Sequence, residues 1–244
     1  MDISGSFSIN IGKDCFTNNN GKLLHSPNSF SDALNSNMCE RRILKLMRNK
    51  PVGFIENLKE ELSSLPNINS FKLWHGADFN LLFHASRLNC KEAVKCLLEK
   101  GADPTLVNKG GTCILHLMAK KGQLDMAKMC LKKISLEDFA EKIIFLNRYS
   151  NIGYTPLMAA VENNHFDFVN WLLSFNVGIN FRMRTGWTAM HAAAKRNNRK
   201  MLKILLERGG NKNIIASHPQ LGRNLKVEDV TCDKQTLMIL TSMT

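Results

Sequence analysis

Apolar residues in this chain recur in blocks at a fixed spacing. Thr155–Ala160 aligns with Thr188–Ala193 at an offset of 33 residues, and Asn80–Ala85 aligns with Cys113–Met118 at the same offset. Each block precedes a second apolar cluster, which predicts paired helices repeated along the chain. The clear units begin near residues 78, 111, 153 and 186, and the leucines that end the second clusters, Leu173 and Leu206 among them, are predicted to be buried.

The second and third blocks are separated by a longer interval. Cys113 and Thr155 lie 42 residues apart, so nine residues are inserted, at about residues 135–150. Ser135–Asp138 resembles a capping box with Asp in place of Glu, and the apolar residues 139–146 follow it. The insertion therefore predicts one or two additional helical turns.

Weaker patterns flank the clear units. Residues 39–70 contain two amphipathic stretches within Arg42–Leu62. Within residues 219–241, Gly222–Leu225 and the apolar cluster Leu237–Leu240 suggest a final weak repeat. Lysines and glutamates between the apolar positions predict exposed faces on the N-terminal pair. Both segments are predicted to be degenerate units that cap the array.

Residues 1–38 have a different composition. Asn, Ser and Gly dominate this segment and apolar residues show no sustained period. Such a segment cannot bury enough apolar surface to offset the entropy of ordering, which predicts a disordered tail. A β-hairpin at Phe7–Phe16 is the alternative.

The repeated blocks resemble the ankyrin repeat, with its pattern G-x-T-P-L-H-x-A-A followed by V-x-x-L-L-x-x-G-A. The fullest matches are Gly153–Leu157 and Gly186–Ala193, and the resemblance covers about residues 40–240. It implies an all-α ankyrin-repeat solenoid of five to six helix-turn-helix repeats with degenerate capping repeats. Residues 39–241 would then form one domain.

The resemblance also implies roles for four polar residues. His116 and His191 occupy the histidine position of T-P-L-H, where the family uses the imidazole to tie neighbouring repeats. Asn180 and Asn213 occupy the turn position at which asparagine hydroxylation is known in ankyrin repeats, so both are candidate modification sites.

Charge changes the functional expectation. Lys and Arg number 33 against 21 Asp and Glu, a formal charge of +12, and the excess lies after residue 40. Such a field favours acidic partners of any kind.

Seven cysteines without a C-x-x-C pair argue against a disulfide framework and a zinc ribbon. We therefore expect an intracellular protein, cytoplasmic rather than nuclear, and monomeric.

Motifs for catalysis are missing from the sequence. No H-E-x-x-H, phosphate-binding loop or nucleophile–base–orienter set is present. We expect no enzyme activity, no catalytic residues, no metal site and no cofactor.

The remaining candidate for function is the concave face, the surface that the first helices and the inter-repeat turns of a solenoid form together. Arginine and tryptophan are enriched at interface hot spots. The sequence therefore predicts a non-catalytic protein-interaction module that binds an acidic protein segment there. The candidate residues are Arg87, Lys120, Lys121, Lys195 and Arg196 on the first helices, and Arg182, Arg184 and Trp187 at the turns.

Three alternatives remain open from the residues alone. The basic repeat region also suits nucleic acid or an anionic membrane, although no nucleic-acid motif or series of stacking aromatics is present. An inhibitor of a transcription factor is a further alternative. The third alternative is that the basic surface is only solvated and binds no partner, with Trp187 packed against its own turn.

Overall fold

The structure, a computed structural model, describes residues 29–65, 67–70, 72–74, 77–134, 139–218, 223–231 and 233–242. The chain divides into a unit of residues 1–38 and a unit of residues 39–244. Helices are the main elements in the described part of the larger unit, joined by turns and two short hairpins, as the predicted all-α architecture requires.

The helices of the larger unit come in pairs, each a first helix followed by a second. Four central pairs follow one N-terminal pair and precede a single C-terminal helix, and one extra helix interrupts the series. The elements are α1 Ser29–Asn49, α2 Phe54–Ser63, β1 Lys72–Trp74, β2 Ala77–Phe79, α3 Leu81–Arg87, α4 Lys91–Glu99, α5 Ile114–Lys121, α6 Leu124–Lys133, α7 Phe139–Leu146, α8 Pro156–Glu162, α9 Phe166–Leu173, α10 Ala189–Lys195, α11 Arg199–Glu207, β3 Ala216–His218, β4 Arg223–Leu225 and α12 Lys234–Ser242.

The central pairs are called repeats one to four. The first helices α3, α5, α8 and α10 contact one another in series, and so do the second helices α2, α4 and α6. Small residues such as Ala159 and Ala193, fully buried in the first helices, let neighbouring helices approach closely. No single pair could bury its own apolar surface, so stacking supplies the core.

Capping residues and left-handed turn residues recur at equivalent positions of the repeats. The caps explain where three of the first helices begin. The side chains of Asn80, Thr155 and Thr188 accept hydrogen bonds from the backbone N–H three residues later, which starts α3, α8 and α10. Between the first and second helix of each repeat, one residue is left-handed, a conformation that Gly and Asn tolerate best. These residues are Asn89, Gly122, Asn164 and Asn197.

The extra helix α7, Phe139–Leu146, lies within the predicted insertion. Phe145 and Leu146 are buried, whereas Phe139 and Ile144 are exposed. The capping residues 135–138 lie outside the described residues. Two short antiparallel hairpins complete the fold, β1 with β2 before repeat one and β3 with β4 after repeat four.

Three sequence expectations need correction. Residues 29–38, predicted to be disordered, are helical because α1 continues in the N-terminal direction from its amphipathic half; residues 1–28 and the alternative hairpin lie outside the described residues. Arg223–Leu225, predicted to open a repeat, is a strand, and one turn of 3₁₀ helix at Glu228–Val230 precedes α12. Leu206 is only partly buried, because Leu205 points into the core instead.

Candidate binding surface

Trp187 is the residue around which the candidate surface is organised. It follows the left-handed Gly186 at the end of a turn, and its half-buried ring lies 5.1 Å from the ring of His191. The Lys195 ammonium, at the end of α10, lies 5.9 Å from the centroid of the Trp187 ring. This cation–π contact holds the exposed Lys195 side chain beside the Trp187 ring. Trp187 thus packs on its own repeat and still presents part of its ring.

Repeat three contains the equivalent pair with the opposite charge. The Tyr154 hydroxyl donates a 2.6 Å hydrogen bond to Oε2 of Glu162 at the end of α8. Burial raises the pKa of Tyr154, and the bonded carboxylate raises it further. In both repeats the aromatic residue and the charged residue are eight positions apart. The aromatic residue ends the turn, and the charged residue lies at the end of the first helix, so the two side chains meet. Glu162 is therefore the acidic residue of a row of equivalent positions at the ends of the first helices, where Arg87, Lys120 and Lys195 are basic.

Three arginines extend the basic surface. Arg182, Arg184 and Arg196 are all exposed. The Arg182 guanidinium donates to the carbonyl of Ile215 in the next turn at 3.1 Å, and its charge lowers the pKa of His191 after the larger effect of burial. The Arg196 charge acts on Tyr154 and lowers its pKa slightly, so Arg196 lies within electrostatic range of the Tyr154–Glu162 pair. The structure therefore brings basic groups of repeat four close to both aromatic pairs.

The candidates in repeats one and two lie at the ends of first helices α3 and α5. The Lys121 ammonium donates to the backbone carbonyl of Arg87 at 3.0 Å, so it joins the two repeats. A ring nitrogen of His165 is 3.0 Å from the carbonyl of Lys120, whose own side chain is exposed. Lys121 is thus partly committed to holding the scaffold together.

The two T-P-L-H histidines tie adjacent repeats. His116 Nε2 is 3.0 Å from the Tyr154 carbonyl, and His191 Nε2 is 3.4 Å from the Leu225 carbonyl. In each case Nδ1 accepts from a backbone N–H, of Cys113 or Thr188, so Nε2 carries the proton and donates. Burial lowers the pKa of His116 to about 4 and lowers that of His191. Both imidazoles are neutral structural links.

The two candidate asparagines differ in environment. Nδ2 of Asn180 donates to the Gly209 carbonyl, and its Oδ1 accepts from the backbone N–H of Asn211. Asn69 makes the same pair of contacts with Gly101 and Asp103 near repeat one. The Asn180 side chain therefore holds consecutive turns together. Asn213 is exposed, and its backbone N–H donates to the Asn211 side chain.

The buried thiols are poor nucleophiles. Burial raises the pKa of Cys113 to about 11 and that of Cys130 to about 12, which keeps both protonated at neutral pH. Among the described residues, no three His, Cys, Asp or Glu side chains are grouped so that they could bind a metal ion. Within the same residues, every helix is too short or too polar to cross a lipid bilayer.

Sequence reasoning missed two contributors to this surface. It treated Tyr154 only as part of the repeat pattern, and it did not single out Ile152, whose side chain is 54% exposed at a turn tip. The eight-residue spacing from Tyr154 to Glu162 and from Trp187 to Lys195 could have indicated the aromatic pairs. Ile152 had no such signal, because an apolar turn residue can equally fold back onto the core.

Comparisons with known proteins agree with this architecture. The family model described as ankyrin repeats (3 copies) matches residues 81–180 and 135–216. Ankyrin repeat protein FPV014 of fowlpox virus is 31% identical over 130 residues, covering 52% of this chain and 28% of that protein. Ankyrin repeat protein FPV230 of the same virus is 29% identical over 127 residues, covering 52% and 63%.

A human relative matches a shorter stretch. Transient receptor potential cation channel subfamily A member 1 is 32% identical over 96 residues, 39% of this chain and 8% of the channel. The matched regions thus span less than two thirds of each of these relatives. The similarity lies in the repeats. It therefore does not assign the activity of any of these full-length relatives to this chain.

Proposed function

The chain belongs to the ankyrin repeat family, and from that premise we propose that it is a non-catalytic module that binds an acidic protein segment on its concave face. Ankyrin repeats generally mediate protein–protein interaction. One observation carries the finer proposal: the Lys195 ammonium lies over the half-buried Trp187 ring, with Arg182, Arg184 and Arg196 exposed nearby in sequence and fold. Aromatic and arginine side chains supply most hot-spot energy at interfaces.

An acidic protein segment suits this surface better than a polyanion does. Glu162 interrupts the basic row beside Arg196, and its carboxylate is held in place by Tyr154. A continuous phosphate backbone would meet this carboxylate, whereas a protein segment can place a neutral or basic residue opposite it. The neutral imidazoles and protonated thiols support a binding rather than a catalytic role. As part of the same proposal, the protein acts inside the cell, in the cytoplasm, and as a monomer.

The test is a charge reversal with a matched control. Changing Arg182, Arg184, Lys195 and Arg196 to Glu alters the charge by −8, and so does changing Lys59, Lys128, Lys132 and Lys203, which are exposed on the second helices. Each protein would be used to select binders from a displayed library of random 16-residue peptides. We expect the original chain and the control to enrich peptides rich in Asp and Glu, and the concave-face reversal to lose them.

Stability and competing ligands complete this test. Both reversals should stay within about 1 kcal/mol of the original chain in urea unfolding, as surface changes usually do. If both variants lost the acidic peptides equally, the binding would depend only on the net charge of the protein. That result would contradict the proposal. Tight binding of random single-stranded RNA or anionic vesicles at physiological salt, with no enrichment of acidic peptides, would favour the nucleic-acid or membrane alternative.

A further inference from the structure

A cleft of about 580 Å³ lies between the turn that precedes repeat three and the turn that precedes repeat four. We call it the turn-tip cleft; the residues that matter for its chemistry are Tyr149, Gly153, Phe181, Arg182, Met183 and Arg184. Its volume is within the range of sites that hold small ligands or single side chains. It lies at the tips of the turns and not against the Trp187–Lys195 pair.

One wall of the turn-tip cleft is aromatic and exposed. Tyr149 is 62% exposed and Phe181 is 39% exposed, with ring centroids 6.4 Å apart and planes tilted by 46°. Ile152, beside the cleft in the same turn as Tyr149, is 54% exposed. Large apolar side chains grouped on a surface mark an interaction site more often than scattered ones do. The wall can receive an apolar side chain from a partner.

The floor of the cleft is formed by backbone and is preorganised. The backbone N–H of Arg184 donates to the Ile152 carbonyl at 3.0 Å, which joins the two turns. Gly153 has a φ of 81°, and a Cβ there would lie 2.9 Å from the Cα of Met183. Only glycine allows the turns to approach this closely. A ligand would therefore meet a rigid floor, which lowers the entropic cost of binding.

The rim of the cleft is basic. The exposed Arg182 and Arg184 line it, and the described residues that line it include no Asp or Glu. Arg182 donates from one terminal nitrogen to the Ile215 carbonyl, and its exposed guanidinium carries five N–H donors in all. Guanidinium groups bind carboxylates with paired hydrogen bonds. Charge complementarity thus calls for an acidic occupant.

We infer that the turn-tip cleft binds one apolar side chain, aromatic or long aliphatic, from an extended acidic segment of a partner protein, with flanking carboxylates on Arg182 and Arg184. The inference rests on the proposed function and adds the anchor residue to it. The tilted rings of Tyr149 and Phe181 contact each other, so they do not offer two parallel faces between which a nucleobase could stack. A protein side chain fits such a wall better than a nucleic-acid base.

The test uses two pools of labelled 12-residue peptides with Asp or Glu at alternate positions. One pool has Phe or Leu at the centre, and the other has Ser or Gln. We expect fluorescence anisotropy to show at least tenfold tighter binding of the first pool. The double variant Tyr149→Ser and Phe181→Ser should reduce that preference to less than twofold, while Phe139→Ser and Ile144→Ser, equally drastic changes on exposed α7 residues, should preserve it.

A second measurement needs no variant in the cleft. The chain has two tyrosines, Tyr149 in the cleft and Tyr154 on the concave face, so 3-fluorotyrosine labelling gives two ¹⁹F signals. Tyr149→Phe in a separate sample assigns them. Titration with the Phe or Leu pool should shift the Tyr149 signal at saturation.

The outcomes separate the inference from the proposed function. Equal affinity for both pools, or a shift of the Tyr154 signal alone, would overturn the turn-tip cleft while acidic binding on the concave face stands. Failure of both pools to bind would overturn both. Binding of a single-stranded RNA oligonucleotide that shifts the Tyr149 signal, without any peptide doing so, would replace the peptide inference with a nucleic-acid site.

Discussion

Repeats three and four use the same positions for opposite chemistry. Tyr154 and Trp187 are equivalent, 33 residues apart, and so are Glu162 and Lys195. In repeat three the aromatic residue donates a hydrogen bond to a carboxylate, and in repeat four it lies under an ammonium group. The buried positions Met158 and His191 differ as well. The backbone of the repeat fixes where a side chain lies, and the residue at that position decides which charge the end of the first helix carries.

The two repeats should agree in how much their buried second-helix leucines contribute to the free energy of unfolding. Leu172 in α9 and Leu205 in α11 are 33 residues apart and have no exposed surface. Replacing either with Ala should lower the free energy of unfolding by about 2–5 kcal/mol, because each leaves a cavity in the core. Urea unfolding measures both. A large loss in one variant and almost none in the other would show that the two repeats are not packed alike.

The T-P-L-H histidines His116 and His191 should make stability depend on pH, and the equivalent position of repeat three, Met158, should not. The folded pKa of His116 is about 4, below an unfolded value near 6.5. Between these values the unfolded chain binds a proton that the folded chain does not, so stability falls as pH falls. From pH 7 to pH 5 the loss through His116 should be about 2 kcal/mol. His191 should add a loss in the same direction.

The matched variants are His116→Gln and Met158→Leu. Urea unfolding at pH 7, 6 and 5 should show a smaller loss for His116→Gln than for the original chain, since one titrating group is gone. Met158→Leu should leave the pH dependence unchanged. An identical slope in all three proteins would contradict the neutral, buried state of the His116 imidazole.

The aromatic pair of repeat three should be the stronger of the two pairs. Tyr154→Phe removes the hydroxyl that donates to the Glu162 carboxylate and should cost about 1.5 kcal/mol, as hydrogen bonds to charged groups do. The control is Tyr149→Phe, an exposed tyrosine whose change should stay within about 0.5 kcal/mol. If the two changes had the same effect on unfolding, the Tyr154–Glu162 bond would contribute nothing.

The pair in repeat four should have the smallest effect on stability. Lys195→Met keeps much of the side-chain length but removes the charge over Trp187, which should cost about 0.5 kcal/mol. Lys203→Met on α11 is the control for loss of an exposed lysine. In the same urea experiment, Lys195→Met should lower the free energy of unfolding by less than Tyr154→Phe does. The reverse order would mean that the cation–π contact outweighs a hydrogen bond to a carboxylate.

Much of the fold is local enough to be predicted from the sequence. The spacing of Thr155 and Thr188, with apolar clusters at fixed distances after them, specified paired helices, because capping and amphipathic periodicity act within one repeat. The weak ends were harder. Arg223–Leu225 became a strand, since the backbone of Ala216–His218 pairs with it and the His191 ring donates to the Leu225 carbonyl.

The candidate surface was only partly predictable. Arg182, Arg184 and Lys195 could be assigned to exposed positions because the repeat template projects them outwards. The engagement of Lys121 with the Arg87 carbonyl and of Arg182 with the Ile215 carbonyl could not be predicted, since each partner is more than thirty residues away. Long side chains have many rotamers, and only the packed neighbours select one.

By itself the sequence determined the repeat, its period, the helix starts and the excess of positive charge, because these depend on residues close together in the chain. Tertiary structure alone decided that Lys121 reaches the Arg87 carbonyl, that Arg182 reaches the Ile215 carbonyl, and that Tyr149 and Phe181 form one wall of a cleft. The physical reason is the stacking of repeats. It places consecutive turns within hydrogen-bonding distance of each other, so the surface chemistry at each position includes residues from the neighbouring repeat.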